Sequence, residues 1–452
     1  MPHRRLIAVA LLSIGLALPA AAAPLDDPFW DAATLLPDPA GLRKRWEGRG
    51  VTVSLQHTTE AWSNLGGGIR RGVTLGSLVQ AGITLDTEKA GLWSGGTVQV
   101  NALHVGGRFP SQDLIGNLQP ATSIEARRGA YLAEAWVEQA LPGKIGSLRA
   151  GQLRADVEFL SSGYVSDPED APSYANAGAL FVNASFGFPA ITGLALPNGG
   201  PAYPFAVPGA RLKLTPTERI SVLLGAFSGT PATSAFTFRG GMLLIGETQY
   251  AVNQPVDATG LPGIYRLGWW HHTDRFADQR RDIAGLSLAD PLSTGVARRH
   301  RGTSGVYAMA DQLLWQSGTL RSESLGVFGR VIVAPGDRVM ADLQINGGLT
   351  WKGMFSARPD DAAGLGVSWV RIGGAARGLD RDTALFGGSP YPVRDGEVVI
   401  EATYQVAVAG WWQVQPSVQY VLRPAGGVPD PRRAGRMLGD ALVVGLRSVV
   451  TF

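Results

Sequence analysis

The sequence predicts an all-β protein, a transmembrane antiparallel β-barrel of about sixteen strands (eighteen possible) with a short N-terminal periplasmic helix. Three observations predict it. The last strands alternate apolar and polar side chains almost without error and stop on Phe452. The chain opens on an export signal. After that signal, nowhere does it reach the ~18 to 20 continuous apolar residues of a spanning helix, so any membrane crossing must be made by strands.

The export signal is read from Arg4 and Arg5, the apolar run Leu6 to Leu18, and the small residues that end near Ala23. Residues 1–23 are therefore expected to be removed on secretion; a buried N-terminal helix is the alternative. Cysteine is absent, which excludes a disulfide scaffold. The formal charge of +3 falls to about +1 once Arg4 and Arg5 leave. Such balance offers no general attraction to nucleic acid or to anions. Among the bases 35 are Arg and 5 are Lys. Arg presents a planar donor fork suited to carboxylates and vicinal hydroxyls, though genomic base composition explains the bias equally well.

Residues 24–50 do not alternate. Asp38 can cap a helix, Pro39 suits its first position, and Leu42, Arg45 and Trp46 recur at helical spacing before Gly48 and Gly50. This segment is expected at the periplasmic mouth as a helical plug or brace. Residues 51–452 then form one barrel, since no Ser- or Pro-rich linker divides them and sixty glycines suit many strands joined by turns.

Strand one sets Val51, Val53 and Leu55 on one face against Thr52, Ser54, Gln56, Thr58, Glu60 and Trp62 on the other. Strand two opposes Val79, Ala81, Ile83 and Leu85 to Gln80, Thr84 and Asp86. Thr97, Gln99 and Asn101 belong to strand three. In strand four Leu132, Glu134, Trp136 and Glu138 alternate with Tyr131, Ala133, Ala135 and Val137, and strand five covers Ser147 to Glu158. Long loops are expected over 160–208 and 251–263. Among the mid-chain candidates Phe181 to Phe188 is the weakest, and without it the count is sixteen. The final strands place Val398, Ile400, Ala402 and Tyr404, then Trp412, Val414, Val418 and Tyr420, then Leu442, Val444, Leu446 and Val450 on one face. Glu401, Thr403, Gln413, Gln415, Gln419 and Arg447 lie on the other. Apolar outside and glutamine-rich inside is the pattern of a wet barrel in lipid. Trp315, Trp351, Trp369, Trp411 and Trp412 stand near strand ends, where interfacial girdles form.

In this order and spacing the segments resemble the carbohydrate-selective porins of the OprB family over nearly the whole mature chain. The residues that carry the resemblance are Glu60-Ala61-Trp62-Ser63-Asn64-Leu65-Gly66-Gly67, Ala133-Glu134-Ala135-Trp136-Val137-Glu138-Gln139 and Leu148-Arg149-Ala150-Gly151-Gln152. Further on come Gly263-Ile264-Tyr265-Arg266-Leu267-Gly268-Trp269-Trp270, Tyr307-Ala308-Met309-Ala310-Asp311-Gln312, and the terminal strands from Glu401. The resemblance implies a sixteen-stranded barrel of the bacterial outer membrane that passes mono- and short oligosaccharides by diffusion through a constriction formed by an in-folded loop. Trp269-Trp270 and Ser417 depart from the pattern.

A sugar is uncharged, rich in hydroxyls and apolar on one ring face, so a passage for it wants donors and acceptors beside an aromatic plate. Glu134, Trp136 and Glu138 share the predicted lumen face, with Arg149 or Arg154 on the next strand, and Glu60 and Trp62 repeat the combination on strand one. These seven are the constriction candidates; the plainer expectation is that the acids and arginines pair with one another across the wall. Expected partners are small sugars, outer-membrane lipid and lipopolysaccharide, and the barrel-assembly machinery through the strand ending in Phe452. The chain is expected as a monomer or homotrimer, without nucleic acid. No cofactor, metal or catalytic residue is expected. His271 and His272, adjacent in a strand, point to opposite faces, and neither G-x-S-x-G nor H-E-x-x-H occurs. Ser63 near His57 and Ser304 near His300 are weak nucleophile pairs, and Asp113, Asp167, Glu169 and Asp170 are candidate loop ligands for a divalent ion. A general porin without sugar preference, or a barrel enzyme, are the alternatives.

Overall fold

A computed structural model describes residues 29–30, 32–38, 41–161, 180–232, 235–254, 259–317, 323–433 and 436–452. The leader, Pro39, and the acidic loop residues Asp167, Glu169 and Asp170 lie outside them. Among the described residues sixteen strands close into one antiparallel barrel, each paired with its sequence neighbours and the last with the first. They are β1 (Val51–Gly66), β2 (Gly72–Asp86), β3 (Gly96–Gly107), β4 (Gly129–Ala140), β5 (Gly146–Leu153), β6 (Val207–Thr217), β7 (Ile220–Ser228) and β8 (Met242–Val252). The second half comprises β9 (Gly263–Asp282), β10 (Ala297–Ser317), β11 (Glu323–Val333), β12 (Ala341–Lys352), β13 (Ala362–Ile372), β14 (Gly396–Ala409), β15 (Trp412–Leu422) and β16 (Ala441–Thr451). Closure runs from Gln56 opposite Thr451 to Gly66 opposite Leu442, and satisfies backbone donors that an open sheet would leave bare at its edges.

The period-two pattern decides which face meets which medium. Val53, Val73, Leu75, Ile83, Val100, Ile400, Val418, Tyr420 and Leu446 are exposed on the outside, while Glu60, Asn64, Glu401, Gln415 and Gln419 are buried inside. Trp315 and Trp351 are exposed on the outside, both beside Leu325. Trp411 instead is tucked against Trp30, rings stacked at 5.9 Å, and donates from Nε1 to the Phe29 carbonyl at 3.0 Å. At that same end Leu35 donates to the Thr451 carbonyl, so residues near the N-terminus strap the seam. The short helix α1 (Leu42–Glu47) follows, its Arg43 amide held by Asp38 Oδ1 at 2.8 Å, with none of its residues buried.

Two readings change. Strand five ends at Leu153, because Arg154 leads instead into a turn of 3-10 helix over Ala155–Val157. In β4 the register skips Ala133 between the Asn101–Glu134 and Ala102–Leu132 pairs. This bulge turns Ala133 inward, to pack with Leu103 and Phe109, where strict alternation sent it to the lipid. Phe181 to Phe188, the weakest strand candidate, is no strand, which leaves the expected sixteen: α2 (Ala184–Gly187) lies there, capped by the Asn183 side chain.

Two long connections fold into the barrel. The β3–β4 loop carries Phe109, Leu114, Ile115 and Ile124 inward, and the β5–β6 loop carries Phe159, Val182, Phe186 and, in α3 (Ala190–Ala195), Ile191. They lean on each other: Ser123 donates to the Val182 carbonyl at 2.9 Å, and Tyr203 donates from its hydroxyl to the Ile124 carbonyl at 2.7 Å. An apolar core therefore sits inside a polar wall. The β13–β14 connection adds α4 (Gly374–Gly387), which packs on β9 through Arg280 and Asp382, paired at 2.7 and 2.9 Å.

Candidate functional site

The seven candidate residues divide between two sides of the lumen. On the β16–β1 side Glu60 accepts from Trp62 Nε1 at 2.8 Å, from Arg447 Nε at 2.6 Å and from the Thr122 hydroxyl at 2.8 Å. Arg447 stands directly opposite Glu60 across the seam and also reaches the Ser123 hydroxyl at 2.8 Å. The pair thus fastens the β3–β4 loop to the wall. Trp62, 1% exposed, is covered by that loop.

On the β4–β6 side Glu138, Arg149 and Arg211 form one cross-strand row. Two guanidiniums directly opposite each other repel, and two carboxylates hold them. Glu138 takes Arg149 at 2.5 Å and Arg211 at 3.1 Å, while Glu158 takes both forks of Arg211 at 2.6 and 2.7 Å. Arg149 also lies over the Trp136 ring, 3.9 Å from its centroid, so the ring face is occupied by a cation. Trp136 is 6% exposed. Glu134 accepts the Arg154 amide at 3.4 Å, and Arg154 grips Asp156 with both forks at 2.9 and 3.1 Å. All seven candidates lie inside the barrel wall or its loops, but their carboxylates and guanidiniums are mostly satisfied by each other, and neither tryptophan offers a bare plate.

Arg211, Glu158, Asp156 and Thr122 belong to this network and were not singled out from sequence. Parity alone could have placed Arg211 on the lumen face. Glu158, Asp156 and Thr122 sit in loops, where no period applies. Deeper in the wall, Arg266 is paired with Asp311 at 2.6 Å and Tyr307 donates to Glu247 at 2.7 Å. Arg330 donates to the Gly187 carbonyl at 3.1 Å. Buried Nη2 atoms of Arg266 and Arg330 have no protein acceptor.

The β3–β4 loop itself forms an open cleft of about 540 Å³, lined by Arg108, Gln112, Asp113, Glu125, Arg127 and Arg128 among others. That volume is typical of a small-molecule site, roughly 300–1,000 Å³. Asp113 accepts from Arg108 Nε at 2.6 Å. Burial pushes the Glu125 carboxyl up to about 7, against hydrogen bonds from Ser111 and Gln112. An acid raised on folding keeps its proton in the folded loop. Its contribution is present below the ordinary carboxyl value and is lost as pH rises through 7. Amide exchange over 108–128, corrected for intrinsic rates, is therefore expected to quicken from about pH 5 to about pH 8. In Glu125→Gln that quickening should vanish; an unchanged pH response in the variant would assign it elsewhere.

The histidines separate as their parity requires. His271 meets the Ser304 hydroxyl on the outside at 2.8 Å, while His272 is buried inside against the Gly229 carbonyl at 2.8 Å. His300 bonds Asp278 and not Ser304. Among the described residues no group of side chains is arranged to hold a metal ion.

The family model described as carbohydrate-selective porin, OprB family, matches residues 71–452. The chain belongs to that family. Porin B of Pseudomonas aeruginosa is 26% identical over 476 residues, covering 99% of this chain and 96% of that one. The putative porin QuiX of Acinetobacter baylyi is 22% identical over 463 residues, covering 95% of each. A high-pH structure of Pseudomonas putida OprB superposes with a TM-score of 0.82 at 22% identity, covering 94% of this chain and all of that one, which supports the same barrel fold. This member of the OprB family is thus an outer-membrane porin, a channel whose family is sugar-selective.

Proposed function

We propose that this porin passes mono- and short oligosaccharides, glucose among them, by passive diffusion down their gradient. The observation that carries the reading is the mutual pairing of lumen charges. Glu60 with Arg447, Glu138 and Glu158 with Arg149 and Arg211, and Asp156 with Arg154 leave little net charge along the wall. A neutral solute then meets no large repulsion, while the same fixed groups still present hydrogen-bonding edges to hydroxyls. In this reading the end that holds Phe452 and the Trp30–Trp411 contact faces the periplasm, with the described residues between 29 and 50 bracing it, and the long loops face outward. The strand ending at Phe452 is the segment offered to the assembly machinery.

Liposome swelling with glucose, an amino acid and a dicarboxylate of similar size tests it. Glucose is expected to enter fastest, and equal rates at equal size would remove the sugar preference. A second reading, a porin for hydroxylated carboxylates, rests on Arg108, Arg127 and Arg128 facing only Asp113 and Glu125 around the cleft. Faster entry of the dicarboxylate than of glucose would favour it.

A further inference from the structure

Among the described residues the barrel's outer surface carries a basic feature that transport does not use. β9 and β10 are the two longest strands, and they extend past the apolar belt marked on their outer faces by Leu267, Trp269 and Val306. The belt ends at the His271–Ser304 pair. Just beyond, the β9–β10 register shifts between Arg301 and Thr303, and past Thr273 the next outward residues are arginines. Arg301 lies directly opposite Arg275, and Arg299 opposite Ala277. All three arginines are exposed. Arg299 Nη1 donates to the Arg275 carbonyl at 3.2 Å, which draws its guanidinium toward the other two. Asp274, the adjoining acid, accepts the Arg275 backbone amide at 2.7 Å; none of the three guanidiniums is ion-paired to a carboxylate among the described residues.

Like charges facing one another across a strand pair weaken the sheet unless an anion lies between them. The position says which anion. Arg301 stands three residues beyond Ser304, ~10 Å along the strand, and at the usual barrel tilt roughly 7 Å along the membrane normal. That is the depth of headgroups, outside the hydrocarbon but within reach of a long arginine stem. Phosphate takes the guanidinium fork bidentately, and a phosphate between two or three arginines relieves their repulsion. We infer that Arg275, Arg299 and Arg301 form a docking site for the phosphorylated headgroup of a glycolipid in the outer leaflet. The inference rests on the long loops facing outward.

Native mass spectrometry of the full-length mature barrel in detergent tests this with three probes: bisphosphorylated lipid A, the same lipid dephosphorylated, and inorganic phosphate. The native protein is expected to retain the bisphosphorylated lipid. The triple variant Arg275→Gln, Arg299→Gln, Arg301→Gln should retain it about tenfold less well. The dephosphorylated lipid should bind no better than it does to that variant, and inorganic phosphate should not displace the lipid. Equal retention by the variant, or equal binding of the dephosphorylated lipid, would overturn the site, and full displacement by inorganic phosphate would reassign it to a soluble anion. None of the three arginines touches the lumen network, so glucose swelling should be unaltered in the triple variant. Loss of sugar preference in the native protein with lipid binding intact would sink the transport reading and leave this site standing.

Discussion

Replacing Glu397 and Glu401 together by alanine is expected to raise single-channel conductance in planar bilayers several-fold and to erase any preference for sugars. Both carboxylates are fully buried on the inner face of β14. Glu397 accepts the backbone amides of Leu118 at 2.7 Å and Gln119 at 2.9 Å, which tether the β3–β4 loop, and that of Ala425 at 2.7 Å. Glu401 accepts those of Val182 at 2.9 Å and Asn183 at 3.0 Å, which tether the β5–β6 loop, and the Ser417 hydroxyl at 2.9 Å. Hydrogen bonds to a charged group contribute roughly 1.5–3 kcal/mol each, and an abandoned buried donor costs about as much again. Alanine removes every one of these acceptors, so both loops lose their anchors on β14 and the lumen widens, while Glu60, Arg447 and Arg330 still hold their other ends. Glutamine keeps one acceptor oxygen at each position, and the double glutamine variant should conduct at an intermediate level. A folded double-alanine barrel with native conductance would show that the loops are held elsewhere.

Gly445→Val is expected to lower the yield of folded, heat-modifiable barrel severely. Gly445 lies opposite Trp62 at the closing seam, and a Cβ there would sit 2.5 Å from the indole. Trp62 cannot swing aside, since its Nε1 is bonded to Glu60, which is itself locked to Arg447. Overpacking of this kind costs ~1–3 kcal/mol and more when the neighbour is fixed. Gly329→Val in β11, where a Cβ meets nothing within 4 Å, is the matched control and should fold normally. Equal folded yields for the two variants would mean that the seam tolerates a shifted indole.

How far the molecule was legible in its sequence follows from where a single period governs. In β14, β15 and β16 each residue meets either lipid or the interior, and Glu401, Gln415 and Arg447 were assignable from parity alone. The Ala133 bulge in β4 was not, because Ala is neutral to both media and nothing in Leu132-Ala133-Glu134 marks the extra residue. Nor was α4. Its buried positions include Asp380 and Asp382, which meet Arg394 and Arg280, while Leu385 is exposed. A helix facing a charged partner carries an inverted pattern that hydrophobic periodicity reads as none. The site was legible by residue type and side but not by exposure. That Glu60 and Trp62 face inward is written in the alternation, whereas their cover depends on where Thr122 and Leu114 of a distant loop come to rest.

Ser123 and Val182, joined backbone to backbone, stitch the two inserts into a single body held from several strands, by Glu60 of β1, Arg330 of β11 and Glu397 and Glu401 of β14 among others. Its fluctuations are therefore shared, and a trace of current through one molecule should step between a few discrete levels in large concerted jumps. Two independent flaps would instead produce a graded flicker. The channel's electrical noise is thus a reading of how firmly one stitch is tied.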